Sequence, residues 1–237
     1  MKNKIKLFLI VITLILFTFT NGDINKLINF YINCFNIKIK VHGKGNLKYY
    51  NRDRIIIMSN HYNGIDYGVI KHIINYYTDK KKRIYTIVKH NLFGDKVEKS
   101  TISNMLSLMK NDLYNKFEML PYKKNNKNSG EIIKKNIIKL INNNNTVLLF
   151  PDGTTRKYGI PQEFKPGSFK LCAENNIKIL PITLKFNKNI GLDTNDGVKL
   201  LDWFDLKADI YIHEPIYDTD WQKLRNKVFE TIKSPLK

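Results

Sequence analysis

The chain has 237 residues, 43% of them hydrophobic, and a formal net charge of +19 from 40 Lys+Arg against 21 Asp+Glu. That is long and apolar enough for one sizeable α/β domain with a real core. The charge points to an anionic partner: nucleic acid, an anionic membrane surface or a phosphorylated substrate. Heavy use of Lys, Asn, Ile and Tyr, all with AT-rich codons, discounts part of it. No zinc-ligand spacing or aromatic-rich basic motif points to nucleic acid. Two cysteines, Cys34 and Cys172, exclude a disulfide framework and read as reduced thiols.

Leu7 to Thr20 is an almost unbroken apolar run behind Lys2, Lys4 and Lys6. A signal peptide has this charge and this core, but no small-x-small cleavage site follows. A buried core helix would be unusually apolar all round. About 14 residues at 1.5 Å rise give roughly 21 Å, short of a hydrocarbon core of about 30 Å. Next, Ile24, Leu27, Ile28, Tyr31 and Phe35 recur at helical spacing, as in an amphipathic helix. The expectation is a membrane anchor over residues 1–36, an apolar helix over 5–20 and an amphipathic helix over 24–35. This membrane-associated pair would dip into one leaflet, with the second helix at the interface. A single spanning helix is the alternative. The leading lysines favour a cytoplasmic N-terminus, with the catalytic domain on the cytoplasmic face.

Residues 37–237 then alternate strands with helices. Strands are expected at Asn36–Val41, Arg54–Ser59, Arg83–Lys89, Phe117–Pro121, Thr146–Phe150, Ile177–Leu184 and Ala208–Ile212. His42 to Asn46 reads as a turn. Helices are expected at Asp66–Tyr77, Ser100–Asn115, Ser129–Ile141 with Ser129 as N-cap, Pro166–Asn175, and from about Asp220, where Thr219 and Gln222 have capping-box spacing. The fold class is α/β, a single domain with a mixed, mostly parallel sheet flanked by helices.

Ser59-Asn60-His61-Tyr62-Asn63-Gly64-Ile65-Asp66 follows the apolar run Ile55–Met58. A histidine moves protons near neutral pH. A nearby carboxylate fixes its tautomer and stabilises its charged form. A strand end is where open α/β sheets bind ligands. A surface histidine is the competing reading of this pair alone. Phe150-Pro151-Asp152-Gly153-Thr154-Thr155-Arg156 follows a second buried strand and should share the sheet edge of His61. Gly153 permits close backbone approach, Arg156 offers a fork for phosphate, and Thr154 and Thr155 offer hydroxyls. A polar turn is the alternative. Phe164-Lys165-Pro166-Gly167 puts Lys165 and Gly167 at a helix start, where anions are favoured. Leu180-Pro181-Ile182-Thr183 is a strand carrying a proline, which marks an edge or a bulge.

In this order, over roughly Lys38 to Thr183, these motifs resemble the glycerolipid acyltransferases, most closely the 1-acylglycerol-3-phosphate (lysophosphatidate) type. The resemblance implies that His61 is the general base and Asp66 its partner, acting without a covalent nucleophile. It implies acyl transfer from acyl-CoA or acyl-ACP, as donor substrate rather than bound cofactor, to a lysophospholipid acceptor at a membrane lipid surface. The substrate-binding residues it implies are Asp152, Gly153, Thr154, Thr155, Arg156, Lys165 and Gly167. The chain also departs from the pattern. Asp152 stands for the usual glutamate, and Arg156 matches only with a one-residue shift. The family's second motif ends in an arginine; its counterpart here, Met119 to Lys124, has none, leaving Lys123 or Lys124 for the phosphate. Other acceptors, such as glycerol 3-phosphate or another lysophospholipid, remain alternatives, as does an inactive lipid-binding relative. No metal is implied.

Overall fold

The structure, a computed structural model, describes Thr13 and residues 22–79, 82–89, 110–122, 128–190 and 200–237. Within this α/β fold the chain forms two compact units, the first from residues 1–81 and 149–237, the second from 82–148 inserted between them.

The first unit contains α1 (Ile24–Cys34), β1 (Lys38–His42), α2 (Lys48–Arg52), β2 (Ile55–Ser59), α3 (Ile65–Tyr77), α6 (Gly167–Glu174), β6 (Lys178–Phe186), β7 (Lys207–Ile212) and α7 (Trp221–Lys233). Its strands run in the order β1-β7-β6-β2. β2 is parallel to β6, β7 antiparallel to β6, and β1 parallel to β7. Every residue of β2 is buried, which explains its unbroken apolar run: a strand covered on both faces has no polar side. β1, by contrast, alternates as an edge strand does, with Lys38 and Lys40 exposed.

Pro181 sits inside β6, which is not an edge strand. Its missing N–H is tolerated because pairing toward β7 is interrupted there. Ile182 pairs with Ile212 and Ile179 with Ile216. Three steps on β6 thus face four on the partner, a bulge. The proline therefore costs no ladder bond.

α1 forms where the helical spacing puts it, but its apolar stripe does not face outward. Ile24, Leu27, Ile28 and Ile32 are buried, and Ile28 lies against Gly68 of α3. Asn29 meets His72 Nδ1 at 2.7 Å, and the Asn75 amide donates to Asn25 at 2.6 Å. The stripe read as a membrane face is thus spent on α3. The apolar run 7–20, Thr13 apart, lies outside the described residues. Among those described, no helix is long and apolar enough to cross a membrane.

The second unit contains β3 (Ile84–Lys89), α4 (Lys110–Lys116), β4 (Met119–Tyr122), α5 (Ser129–Asn142) and β5 (Thr146–Leu149), β5 running to the unit's boundary. β3 pairs in parallel with both β4 and β5. α5 buries Ile133, Ile137 and Ile141 at i, i+4, i+8. Of the helix expected from Ser100, only its end is described, as α4.

Two caps differ from expectation. Ser129 is the first helical residue of α5, and Asn128 stands at the cap position without a side-chain capping bond. At α7 the cap is Asp220, whose carboxylate accepts from the Gln222 and Lys223 N–H groups at 2.9 and 3.3 Å. A carboxylate outcompetes the Thr219 hydroxyl because it accepts two bonds and suits the positive end of the helix. The stretch after β1 is also more ordered than a turn: a 3-10 turn over Lys44–Leu47 leads into α2.

Candidate active site

The site grows from the end of β2. Asn60, the first residue past the strand, is fully buried and acts as a surrogate peptide. Its side-chain oxygen accepts from the Leu184 N–H at 2.8 Å and its amide donates to the Leu184 C=O at 2.9 Å. The same amide donates to the Gly159 C=O at 2.9 Å. β2 is thereby held to β6 one position beyond its ladder, and the residue after it is fixed in place.

That residue is His61. Its Nδ1 meets Asp66 Oδ2 at 2.8 Å. Asp66 occupies the first turn of α3, and the intervening Asn63-Gly64 turn folds it back. Asn63 shapes the turn by accepting the Ile65 N–H at 2.9 Å and donating its amide to the Ile190 C=O. Asp66 Oδ2 also accepts the Tyr62 and Asn63 N–H groups at 2.6 and 3.0 Å. The His61 side chain keeps 19% of its surface exposed while that of Asp66 has none. The imidazole reaches solvent and its partner does not. Burial pushes the Asp66 carboxyl up, opposed by its bond and charge interaction with His61 and by the two backbone bonds. Among the described residues, Asp66 Oδ1 finds no partner. An anionic Asp66 accepts a hydrogen bond from Nδ1–H, which leaves Nε2 as the basic nitrogen.

The Phe150 stretch packs directly on this pair. The Phe150 ring stacks on the His61 imidazole with centroids 3.9 Å apart and planes 15° apart. The Arg156 N–H donates to the His61 C=O at 2.9 Å. Between them the chain turns tightly, with the Gly153 N–H on the Phe150 C=O at 2.9 Å and Gly153 at φ +70°. The Lys165 ammonium closes over that glycine: a methyl group there would sit 2.5 Å from Nζ. Lys165 also donates its backbone N–H to the Pro151 C=O at 2.9 Å.

Asp152 is buried in this turn, and neither carboxylate oxygen forms a hydrogen bond among the described residues. Burial pushes its carboxyl up, while the nearby Thr154 N–H, His61 and Arg156 pull the other way. Arg156 Nε is likewise buried and unpartnered. Buried polar groups are rarely left so. An unpaired acceptor set and an unpaired donor set beside a histidine make a site prepared for a polar ligand.

His61, Asp66, Asp152, Gly153, Arg156 and Lys165 therefore come together as the sequence suggested. Thr154 and Thr155 lie half-buried in the same turn. Gly167 opens α6 with open space at its Cα. Lys123 and Lys124 lie outside the described residues. Sequence reasoning assigned no role to Asn60, to the Phe150 ring, or to Gly159, whose close approach seats the Tyr62 ring. The signal for Asn60 was a polar residue closing a wholly apolar strand.

Known proteins share this plan. Residues 38–185 match the family model described as "Acyltransferase". A chloroplastic 1-acyl-sn-glycerol-3-phosphate acyltransferase of Brassica napus is 30% identical over 118 residues, covering 48% of this chain and 33% of that protein. Its Arabidopsis thaliana counterpart is 27% identical over the same length, covering 48% and 32%. The match thus spans about a third of each relative's length. The crystal structure of the Thermotoga maritima 1-acyl-sn-glycerophosphate acyltransferase PlsC superposes with a TM-score of 0.56 at 17% identity, covering 92% of this chain and 83% of that one. That likeness is one of fold. With the family model spanning residues 38–185, which include most of the residues that build this site, the chain belongs to the acyltransferase family.

Proposed function

We propose that the protein is a membrane-associated O-acyltransferase that moves a fatty acyl group from an acyl thioester to the free hydroxyl of lysophosphatidate, giving phosphatidate. The observation carrying this is the partly exposed His61 imidazole held by buried Asp66, beside the unpartnered Asp152 carboxylate and Arg156 Nε. His61 Nε2 removes the acceptor hydroxyl proton as that oxygen attacks the thioester carbonyl. Asp66 stabilises the imidazolium that forms. The new C–O bond gives a tetrahedral intermediate. Its collapse breaks the C–S bond, and the departing thiolate takes the proton back from His61. No side chain is acylated. Cys172 is buried, with its thiol pushed up to about 12 by burial, and is unsuited to be a nucleophile.

Arg156 and Lys165 hold the acceptor phosphate, with the N-terminal N–H groups of α6 behind them. Asp152 accepts from a hydroxyl of the acceptor. Gly153, Thr154 and Thr155 line the same turn, Gly167 opens the helix, and Lys123 or Lys124 supplies a further cation. The donor is acyl-CoA or acyl-ACP. The test is an assay of the intact chain against lysophosphatidate, glycerol 3-phosphate and lysophospholipids with larger headgroups, with each donor, products read by mass spectrometry. Phosphatidate as the dominant product is expected. A different dominant product would move the acceptor, and no product from any pair would remove the enzymatic reading.

A further inference from the structure

The loop after Arg156 carries two large apolar side chains that stand exposed among the described residues. Tyr158 is 61% exposed and Ile160 is 47% exposed. Both belong to the polypeptide that touches the catalytic histidine, two and four residues beyond Arg156, whose N–H bonds the His61 carbonyl. The loop is not slack. Gly159 donates its N–H to the Arg156 C=O at 3.1 Å, accepts from the buried Asn60 amide, and lies against the Tyr62 ring. The Tyr158 N–H donates to Asn189 Oδ1 at 3.2 Å.

Tyr158 itself sits at φ +57°, ψ 7°. That region is costly for a side chain with a Cβ and suits Gly or Asn. Strain of this kind, at a residue left 61% exposed, points from backbone to function. The surrounding charge says which function. Lys157 and Lys165 are exposed on either side of the pair. The one acid between them, Glu163, meets Arg225 at 3.1 Å. An aromatic and a branched aliphatic side chain flanked in the sequence by exposed lysines is a composition that settles at the boundary of headgroups and acyl chains in an anionic bilayer.

We propose that residues 157–160 form an interfacial docking loop, with Tyr158 and Ile160 inserting into an anionic lipid surface beside the active site while Lys157 meets its headgroups. This rests on the lipid-acyltransferase reading of the same site. A lipid acceptor then moves to His61 without fully entering water.

The test uses the full chain in a Cys34→Ala background, since Cys172 is buried and its thiol held up. A fluorophore is attached at Ile160→Cys, and separately at Tyr217→Cys as an exposed control. Vesicles of phosphatidylcholine with phosphatidylglycerol and a nitroxide-bearing lipid are then added. Strong quenching at position 160 and little at 217 is expected. Equal signals at the two positions would overturn the proposal. A second variant, Tyr158→Asn with Ile160→Asn, suits the left-handed backbone and keeps the fold. It should raise the KM for vesicle-embedded acceptor at least about tenfold while leaving kcat on a detergent-dispersed short-chain acceptor unchanged. An unchanged KM on vesicles would sink the idea. Selective quenching at 160 in a protein that acylates no acceptor supports the docking loop and removes only the enzymatic reading.

Discussion

Asp66→Asn separates charge from shape in the dyad. The asparagine oxygen can take the place of Oδ2 and keep the Tyr62 and Asn63 N–H bonds, 2.6 and 3.0 Å long in the native chain. The His61 tautomer then survives, and what is lost is the negative charge facing the imidazolium in the transition state. The native N···O distance is 2.8 Å. With charge centres about 4 Å apart and an effective dielectric of about 20, the loss is about 4 kcal/mol. That is roughly a thousandfold in kcat, with KM little changed. Stability moves the other way with pH. Burial raises the native Asp66 pKa, so its contribution is fully present below the unfolded value of 3.8 and is lost as pH rises through the native pKa. The asparagine variant lacks that loss, so its stability relative to the native chain rises from about pH 4 upward. A pH-independent penalty of about 1–3 kcal/mol offsets this, because the new amide nitrogen falls where buried Oδ1 has no partner. Steady-state acyl transfer and urea melts from pH 4 to 8 measure both. A kcat within about threefold of native would refute the electrostatic role.

Gly159→Ala would drive a methyl group into the Tyr62 ring at a backbone φ of +62°. Overlap and strain together cost about 3 kcal/mol, a fall in Tm of roughly 6–12 °C for a chain of this size, read by calorimetry. Phe150→Leu removes the ring stacked 3.9 Å from His61. It should lower kcat about fivefold to tenfold through lost ring contact and cation–π stabilisation of the imidazolium, without abolishing activity. His213 donates from Nε2 to Thr183, whose hydroxyl donates in turn to the Ile232 C=O at 2.8 Å. Burial lowers its pKa from 6.5 to about 4, so the stability it supplies is present above pH 6.5 and lost as pH falls toward 4. After discounting for its partial exposure, that is about 2 kcal/mol. In His213→Gln, urea midpoints should fall correspondingly less between pH 7 and 4.5.

The site was legible where chemistry is local. His61 and Asp66 are five residues apart, between a wholly apolar strand and a helix, and the turn that joins them is written in Asn63-Gly64. The strand–turn–helix order around Asp152 and Lys165 is local in the same way. What the sequence concealed is what covers what. α1 shows the same stripe whether it lies on a bilayer or on α3, and the burial of Ile24, Leu27, Ile28 and Ile32 with the Asn29–His72 and Asn75–Asn25 bonds decides it. Asn60 reads as one more polar residue until β6 lies beside β2 with Leu184 opposite it. Pro181 signals a bulge or an edge, and the choice depends on a partner strand about 30 residues later. Long-range register, not local propensity, carries each of these.

The most direct measurement is acyl transfer to lysophosphatidate by the His61→Ala chain, checked for native folding by circular dichroism and followed by mass spectrometry of phosphatidate. The account predicts product at the no-enzyme background, because removing the imidazole removes the base while Asn60, Tyr62 and the Asp152 turn keep the site assembled. Product formed within about tenfold of the native rate would contradict it.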